Sequence, residues 1–251
     1  MDERGAFQNK IEDMIRLSEK RGFSVSAFLS AEERALSEKY LSHRQGAPAF
    51  LFFGGAAGAE RCCLILGEYA SEEDAGIVCL KIENRDKKVL SLSSLSHRDV
   101  LGALLSLGIE RDAVGDVVAY NDGFIVFIRE SVAQLVLDCL SRIGRESVDC
   151  KRITLPANYT IEKAKSEEAV VCASLRADCL VGAICRLSRE EAKALIVRGD
   201  LKRNHEDHNR PDALVREGDI LSIRHFGRFE VGAVLGATRS DRIRVRIYRY
   251  V

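Results

Sequence analysis

The residues best suited to chemistry in this chain are cations at helical spacing near its C-terminal end. Ser188 is followed three residues later by Glu191, which is the spacing of a capping box and predicts that a helix begins after Ser188. Arg189 and Lys193 lie four residues apart on that helix and therefore share one face. Gly199 is the expected C-terminal cap. The pattern predicts a short helix that presents two positive charges side by side.

A strand pattern of similar character follows farther along the chain. From residue 242 to residue 247, arginines alternate with Ile243, Val245 and Ile247, which predicts a strand with one cationic and one apolar face. Arginine suits phosphate because its planar guanidinium group donates to two oxygens at once. A lone strand of this kind would more simply be the solvated face of an ordinary sheet. The basic helix in the same small domain favours a surface for polyanions instead.

The candidate RNA-binding residues are polar or cationic side chains that we expect on one continuous surface of this region. Two of them, Asn204 and Arg210, are expected to shape a turn, and the basic residues are expected to contact phosphate. The full set is Arg176, Arg186, Ser188, Arg189, Lys193, Arg198, Lys202, Arg203, Asn204, Arg210, Arg228, Arg242, Arg244 and Arg246.

Charge is segregated along the chain, although its formal net charge is zero. Residues 172–251 hold 16 basic and 11 acidic side chains, a balance of +5. The rest holds 38 − 16 = 22 basic and 38 − 11 = 27 acidic side chains, a balance of −5. A basic end on an acidic body is typical of attraction to nucleic acid, which needs positive charge but carries no sequence specificity by this means.

Length and composition bound the class of protein. A chain of 251 residues is long enough for two or three small domains, and 46% apolar with 30% charged residues indicates a globular protein. No apolar run approaches the roughly 18 residues of a membrane span. The polar start, residues 1–5, does not resemble a secretory signal. We therefore expect a cytoplasmic protein with no membrane partner.

The cysteines and histidines do not predict a metal site. Eight cysteines without a Cys-x-x-Cys pair fit neither a disulfide scaffold nor a zinc ribbon. His205 and His208 supply two ligands at most, with no second pair at suitable spacing, and a polar turn near RNA explains both equally well. We expect neither a metal nor another cofactor.

Residues 1–74 are predicted to form an N-terminal αβ domain. Two helices are expected within residues 7–43, the second beginning after Ser30, whose capping-box partner is Glu33. Two paired strands, residues 49–53 and 62–66, follow. The glycine-rich stretch between them lacks the Lys-Ser/Thr ending of a phosphate-binding P-loop, so a hairpin loop is predicted.

Residues 75–155 show an alternating order of elements. Turn signals and periodicity predict strand, helix, strand, strand, helix, strand, which is the ferredoxin-like βαββαβ arrangement. The aromatic-rich strand motif of the common RNA-recognition domain is absent. Tyr120, Phe124 and Phe127 are equally compatible with a core and with a platform for bases. The predicted elements are the strands 77–83, 116–120, 124–129 and 147–153 and the helices 97–107 and 132–143.

The tripeptide His97-Arg98-Asp99 invites enzymatic interpretations. A kinase catalytic loop would have Asn five residues after the Asp, where this chain has Leu104, and the other kinase motifs are missing. A pseudouridine synthase would use a carboxylate such as Asp99, but its accompanying sequence is also missing. The simpler interpretation places Asp99 near a helix N-terminus and leaves His97 and Arg98 as a second RNA contact.

Residues 176–229 resemble the S-four (αL) RNA-binding domain, and the order of all elements resembles the YlmH-like family. The resemblance is carried by SHRDVLGALLSLG at 96–108, Gly-Asp at 115–116, Ile-Gly-Arg at 143–145, Gly-Arg-Phe at 227–229 and Gly-Ala-Thr-Arg at 236–239. It implies an α+β chain with an N-terminal αβ domain, a central ferredoxin-like domain and a C-terminal S-four domain at residues 171–251. The chain departs from the family after Asn204, where His205 replaces the usual Gly.

The function implied by the resemblance is non-catalytic binding of structured RNA. The expected partners are rRNA, tRNA and the large ribosomal subunit, with no DNA, and the expected role is quality control of stalled translation. Two alternatives remain open. One is an RNA-modifying enzyme, similar to a pseudouridine synthase or a methyltransferase, that uses Asp99 and is anchored by its basic end. The other is an adaptor whose basic face binds an acidic protein.

Overall fold

The computed structural model describes residues 3–86, 92, 95–162, 165–238 and 241–250. The chain divides into two compact units, an N-terminal unit of residues 1–161 and a C-terminal unit of residues 162–251. Helices and antiparallel strands occur in both units, so the predicted α+β class is confirmed.

The N-terminal unit begins with a small sheet flanked by two helices. Its strands have the order β1-β3-β2 and are antiparallel. The predicted capping box is present, because the Ser30 hydroxyl accepts from the Glu33 amide and the Glu33 carboxylate accepts from the Ser30 amide. The elements are α1 (Glu3–Arg21), β1 (Ser24–Leu29), α2 (Ala31–His43), β2 (Phe50–Phe53) and β3 (Cys62–Leu66).

Strand β1 was not predicted, and its sequence explains why. Ser24 and Ser26 occupy buried positions of the strand, so the usual alternation of apolar and polar residues does not show. Their hydroxyls are used internally. Ser24 donates to the Met14 carbonyl at 2.8 Å, and Ser26 accepts from the Leu64 amide at 2.8 Å.

The second sheet of the N-terminal unit contains five strands in the order β5-β6-β4-β8-β7, all antiparallel to their neighbours. Its elements follow one another as strand, helix, strand, strand, helix, with a short hairpin last. They are β4 (Ile77–Asn84), α3 (His97–Ser106), β5 (Val114–Tyr120), β6 (Gly123–Arg129), α4 (Glu130–Cys139), β7 (Arg142–Ile143) and β8 (Glu146–Ile153). Below, these strands are called the central sheet.

The predicted helix 132–143 is wrong at its C-terminal end. Helix α4 stops at Cys139, and Ile143 belongs to the short strand β7. Gly144, with φ of +58°, forms the β7–β8 turn instead of closing the helix. Leu140 and Ile143 are both buried and continue the helical spacing from Val136, so periodicity alone could not reveal the end of the helix.

Both faces of the central sheet are covered by apolar groups. On one face, Leu80 and Val126 belong to the cluster that includes residues of α3 and α4. On the other face, Ile125 and Phe127 pack with Phe28 of β1. Phe127 is 1% exposed, so this layer is part of the core.

The C-terminal unit is a six-stranded antiparallel sheet with two helices. Its strand order is β11-β10-β12-β13-β14-β9. Strand β9 pairs with β14 and begins at Lys165, ahead of the range 171–251 expected for this domain. The elements are β9 (Lys165–Cys172), α5 (Ala177–Cys185), α6 (Arg189–Val197), β10 (Leu201–Arg203), β11 (Glu206–Asp207), β12 (Ile220–Ile223), β13 (Gly227–Ala237) and β14 (Ile243–Tyr250).

Helix α6 begins and ends where its sequence predicts. The Ser188 hydroxyl accepts from the Glu191 amide, and the Glu191 carboxylate accepts from the Ser188 amide at 2.8 Å. Gly199 takes φ of +87° just beyond the last turn, a conformation that favours glycine. Across the part of the chain that the structure describes, none of the helices has both the length and the apolar character required to cross a membrane.

Candidate RNA interface

Helices α5 and α6 lie on one face of the C-terminal sheet. Leu180 of α5 and Ile196 of α6 are fully buried, in one cluster with Val245 and Ile247 of β14. The polar edges of both helices therefore point away from the sheet. Arg189 and Lys193 are exposed on α6, as the predicted helical face requires.

A buried aspartate joins the two helices. Asp178 receives Arg176 through two contacts, Nε to Oδ1 at 3.1 Å and Nη2 to Oδ2 at 3.0 Å, and receives Arg189 Nε on Oδ2 at 3.1 Å. Burial works against ionisation of Asp178, but hydrogen bonds from Arg176 and Arg189 lower its pKa to about 2. The carboxylate is therefore ionised at neutral pH and holds two guanidinium groups beside each other.

The loop at residues 210–214 lies against the start of α5. Pro211 and Ala213 accept hydrogen bonds from the amides of Asp178 and Ala177, each at 2.9 Å. On the same loop, the Leu214 carbonyl accepts from Arg203 Nη1 at 3.0 Å. These bonds bring Arg176, Arg189, Arg203 and Arg210 to one place around the loop. With Lys193, one turn along α6, these five residues are called the helix-side cluster below.

Asn204 supports the turn after β10. Its side chain donates to Asp219 Oδ1 at 2.7 Å and accepts from the Ile220 amide at 2.8 Å. Its φ of +51° is a conformation that asparagine tolerates well. Asp219 also pairs with Arg203 at 2.6 Å. Both polar ends of the Asn204 side chain are thus committed to shaping the turn.

A half-buried aspartate holds two further arginines. Asp200 pairs with Arg198 at 2.5 Å and with Arg224 at 3.5 Å, and both guanidinium groups remain largely exposed. The hydrogen bond from Arg198 lowers the pKa of Asp200. Arg224 was not among the predicted residues. It follows directly after β12, and its pairing with Asp200 brings together residues far apart in the chain, which no local pattern signals.

The remaining predicted residues on the helix side have different positions. Ser188 uses its hydroxyl in the cap of α6. Arg186 ends α5 in the left-handed conformation, with φ of +56°, and its side chain is exposed. Lys202 lies 3.7 Å from Asp207 on the neighbouring strand β11.

The strand-borne arginines lie on the opposite face of the sheet. Because Val245 and Ile247 point toward the helices, Arg244 and Arg246 point away from them. Arg246 lies 2.9 Å from Glu167 of β9. The expectation of one continuous cationic surface is therefore wrong, because strand alternation separates these arginines from the helix-side cluster.

The same outer face carries a group of aromatic and charged side chains. Lys165 Nζ lies 4.9 Å from the centre of the Tyr250 ring and donates to Glu230 at 2.6 Å. The Tyr250 hydroxyl also donates to Glu230, at 2.7 Å. Arg228 lies 5.9 Å from the Tyr250 ring centre. Arg242, which precedes β14, is exposed.

The second predicted contact lies at the N-terminus of α3. Ser96 and Asp99 form a capping box, in which Asp99 Oδ2 accepts from the Ser96 amide at 2.8 Å and from the Ser96 hydroxyl at 2.6 Å. These bonds lower the pKa of Asp99. His97 and Arg98 are exposed in the first turn.

Comparison with known proteins adds to this geometry. A family model described as "Putative RNA-binding domain in YlmH" matches residues 71–157. The "Ribosome-associated protein quality control protein P2" of Bacillus subtilis (strain 168) is 29% identical over 252 residues, covering 99% of this chain and 95% of that protein. The chain thus resembles the YlmH family. The resemblance predicted from its sequence is confirmed.

A solved structure has a similar fold. The "Cell division protein ylmH from Streptococcus pneumoniae" matches with a TM-score of 0.50 and 23% sequence identity, covering 61% of this chain and 93% of that one. At this identity the likeness concerns the fold alone. The family match at 71–157 covers the central sheet with His97 and Arg98, whereas the helix-side cluster lies outside it.

The central sheet offers no open aromatic platform among its described residues. Phe124 and Phe127 are buried, and the Tyr120 ring packs edge-on against Tyr159 with centroids 5.9 Å apart. The sequence left the role of these three aromatics undecided between core and base platform. The structure places all three in apolar clusters.

The histidines after β10, His205 and His208, lie in and directly after the β10–β11 hairpin. His208 Nε2 lies 3.0 Å from the Arg210 carbonyl, and His205 has φ of +70° in the turn. Within the described ranges, no group of three or more His, Cys, Asp or Glu side chains is arranged to hold a metal ion. Arg239, part of one family motif, lies outside the described residues.

Proposed function

We propose that this protein binds structured RNA on the ribosome and acts without catalysis. The proposed partners are rRNA of the large subunit and tRNA, and the proposed role is quality control of stalled translation in the cytoplasm. Two comparisons support it. The Bacillus relative is named for ribosome-associated quality control, and the matching family model is named for RNA binding.

The observation that carries the proposal is the helix-side cluster. Arg176, Arg189, Arg203 and Arg210 surround one loop, and Lys193 extends the group along α6. Asp178 and Asp219, which pair with Arg176, Arg189 and Arg203, are buried, whereas Arg210 pairs with the exposed Asp212. The guanidinium groups of Arg189 and Arg210 stay open to solvent. Guanidinium groups fixed at a surface suit RNA, whose backbone is recognised mainly through its phosphates.

At the level of domains, the proposal assigns both regions to known RNA-binding arrangements. The four long strands of the central sheet have the order β8-β4-β6-β5, with α3 and α4 as the connections of a ferredoxin-like βαββαβ arrangement. In the C-terminal unit, the pair α5–α6 packed on the antiparallel sheet is proposed as the S-four domain.

The position of Asp99 supports a non-catalytic role. Both a pseudouridine synthase and related enzymes need a carboxylate directed at the substrate, whereas this carboxylate is directed into the cap of α3. We expect RNA modification patterns to be the same in cells that carry Asp99→Ala and in unmodified cells, as mass mapping of ribosomal RNA would show. A lost modification would instead identify an enzyme.

The test of RNA binding is a double substitution on α6. Arg189→Ala with Lys193→Ala should weaken association with ribosomal subunits and flatten the plot of log affinity against log salt, by roughly 0.7–0.9 for each lost phosphate contact. The measurements are co-sedimentation with purified subunits and titration of a labelled RNA hairpin over a salt series.

Lys20→Ala with Arg21→Ala is the matched control, because it removes the same charge from the exposed end of α1. It should leave the slope unchanged. An unchanged slope in the α6 variant would remove α6 from the interface. Association that survives nuclease treatment would favour an adaptor that binds an acidic protein.

A further inference from the structure

Asp178 is the least exposed charged side chain among the ion pairs of the helix-side cluster. Only 3% of its side chain is accessible, whereas its partners Arg176 and Arg189 are 36% and 61% accessible. The negative charge is therefore shielded from solvent and the positive charges face outward. An approaching polyanion meets the guanidinium groups first.

Asp178 binds Arg176 and Arg189 in different ways. Arg176 uses Nε and Nη2 on the two oxygens of Asp178, which fixes the plane of its guanidinium group. Arg189 donates to Asp178 through Nε alone. Because Asp178 takes up only the Nε donor, the Nη donors of Arg189 are left for a phosphate, which a guanidinium group can bond through two parallel contacts.

Asp178 is itself held in position by hydrogen bonds within α5 and to the loop at residues 210–214. Asp178 lies in the first turn of α5, its Oδ1 also accepts from the Cys179 amide at 2.9 Å, and its own amide donates to Pro211. The backbone and the side chain of Asp178 are therefore both fixed. A fixed carboxylate in turn restricts the side-chain conformations of the arginines that donate to it. A free arginine loses considerable side-chain entropy when it binds, and prior orientation reduces that loss.

We propose that Asp178 is a positioning residue for RNA, which orients Arg176 and Arg189 toward neighbouring phosphates. The inference rests on the proposed function and deepens it, since it states how the cluster recognises the backbone. It also predicts a change in RNA affinity that is opposite in sign to the change expected from net charge. Removing an acidic charge beside an RNA site should strengthen binding by electrostatics alone, but here it should weaken binding.

The experiment compares two substitutions that change the net charge equally. Asp178→Asn should weaken binding to a fluorescein-labelled RNA hairpin by about tenfold, because hydrogen bonds to charged groups carry that order of effect. Asp212→Asn is the matched control on the adjoining loop. Asp212 is 58% exposed and lies 4.0 Å from Arg210, so its removal should leave affinity equal or slightly higher.

A double-mutant cycle separates positioning from mere stability. Arg189→Ala should cost much affinity in the unmodified protein and little in the Asp178→Asn background, because Arg189 is already released there. The salt slope should also fall in Asp178→Asn between about 50 and 200 mM salt, although the protein has gained positive charge. Loss of packing alone would change neither the cycle nor the slope in this way.

If Asp178→Asn fails to fold, Asp178→Glu serves instead. It keeps the charge and displaces the carboxylate by one methylene group, so it should also weaken binding. Variants at Asp178 that bind as tightly as Asp212→Asn, with an undiminished cost of Arg189→Ala, would overturn this inference alone. Absence of salt-dependent binding by the unmodified protein to the hairpin and to ribosomal subunits would overturn the proposed function as well.

Discussion

The central sheet and the C-terminal sheet are built alike and used differently. Each is antiparallel and has two helices packed on one face. In the central sheet the other face packs against β1 and β3 through Ile125 and Phe127. In the C-terminal sheet the other face carries half-buried Arg246, Tyr248 and Tyr250. A sheet with two helices therefore provides an internal layer in one region and a polar surface in the other.

This difference restricts where RNA can bind in each region. Bases cannot stack on a sheet face that is covered. In the central region, the sheet edges and the helix ends, such as the N-terminus of α3, therefore remain for contact with RNA. The C-terminal region presents cations on both faces of its sheet, the helix-side cluster on one and Arg244 with Arg246 on the other. The family match alone, at residues 71–157, does not distinguish these possibilities.

The largest expected effect tests whether the second face of the central sheet is core. Phe127→Ala should lower the free energy of unfolding of the N-terminal unit by about 3–5 kcal/mol, because a large buried ring is replaced by a cavity. Tyr248→Ala, on the outer face of the C-terminal sheet, should cost about 1 kcal/mol or less. Hydrogen exchange of the β6 amides measures the stability of the central region, and exchange of the β14 amides measures that of the C-terminal region. Equal costs would remove the distinction between the two faces.

The next effect concerns acid stability of the C-terminal unit. The pKa of Asp178 falls from its ordinary 3.8 to about 2 on folding. A lowered folded-state pKa stabilises the protein above the unfolded value, and that contribution is lost as pH falls toward the folded value. We expect a loss of about 2 kcal/mol between about pH 4 and pH 2. Asp178→Asn should remove this part of the acid sensitivity, as measured by exchange of the β14 amides, while the contribution of Asp200 remains.

Glu83 provides the counterpart in the central sheet. Hydrogen bonds from Lys151 and Lys81, which lie opposite each other on β8 and β4, lower its pKa to about 2. Glu83→Gln should therefore reduce the acid sensitivity of β4 exchange and leave that of β14 unchanged. Coupled changes in both regions would contradict their division into two compact units.

A smaller effect compares RNA contacts in the two regions. Arg98→Ala should reduce the magnitude of the salt slope by about 0.9 at most, because it removes one phosphate contact. The α6 double substitution should reduce it about twice as much. Arg21→Ala, on α1, is the control for a single lost charge. A larger change for Arg98→Ala than for α6 would make the central region the principal interface.

The smallest effect should be the same in both regions. Ser96→Ala and Ser188→Ala each remove a capping box at an exposed helix start, which costs about 1 kcal/mol of helix stability. Exchange of the first-turn amides of α3 and α6 measures it. Equal costs would show that the regions differ in tertiary packing and not in local helix formation.

Much of the secondary structure could be predicted because its signals are local. The capping boxes at Ser30 and Ser188 marked the starts of two helices, since each needs residues only three positions apart. Strand β1 was missed because buried serines mimic exposed positions. The end of α4 was missed because Leu140 and Ile143 happen to continue its apolar stripe.

The candidate site was only partly accessible to the same reasoning. Arg189 and Lys193 share an exposed face as helical spacing requires. Arg224 was missed, and the two faces of the C-terminal sheet were merged into one. Both errors concern pairs of residues distant in the chain, such as Arg224 with Asp200, that meet through folding.

The amino-acid sequence by itself determined the helices, the alternating strands and the excess of positive charge at the C-terminal end, because these depend on composition and on neighbours a few positions apart. Only the tertiary structure decided which sheet face is covered and which aspartates hold which arginines. Those outcomes depend on side chains brought together from separate elements, such as Asp178 on α5 and Arg189 on α6, because hydrogen bonds from the arginines keep the buried carboxylate ionised.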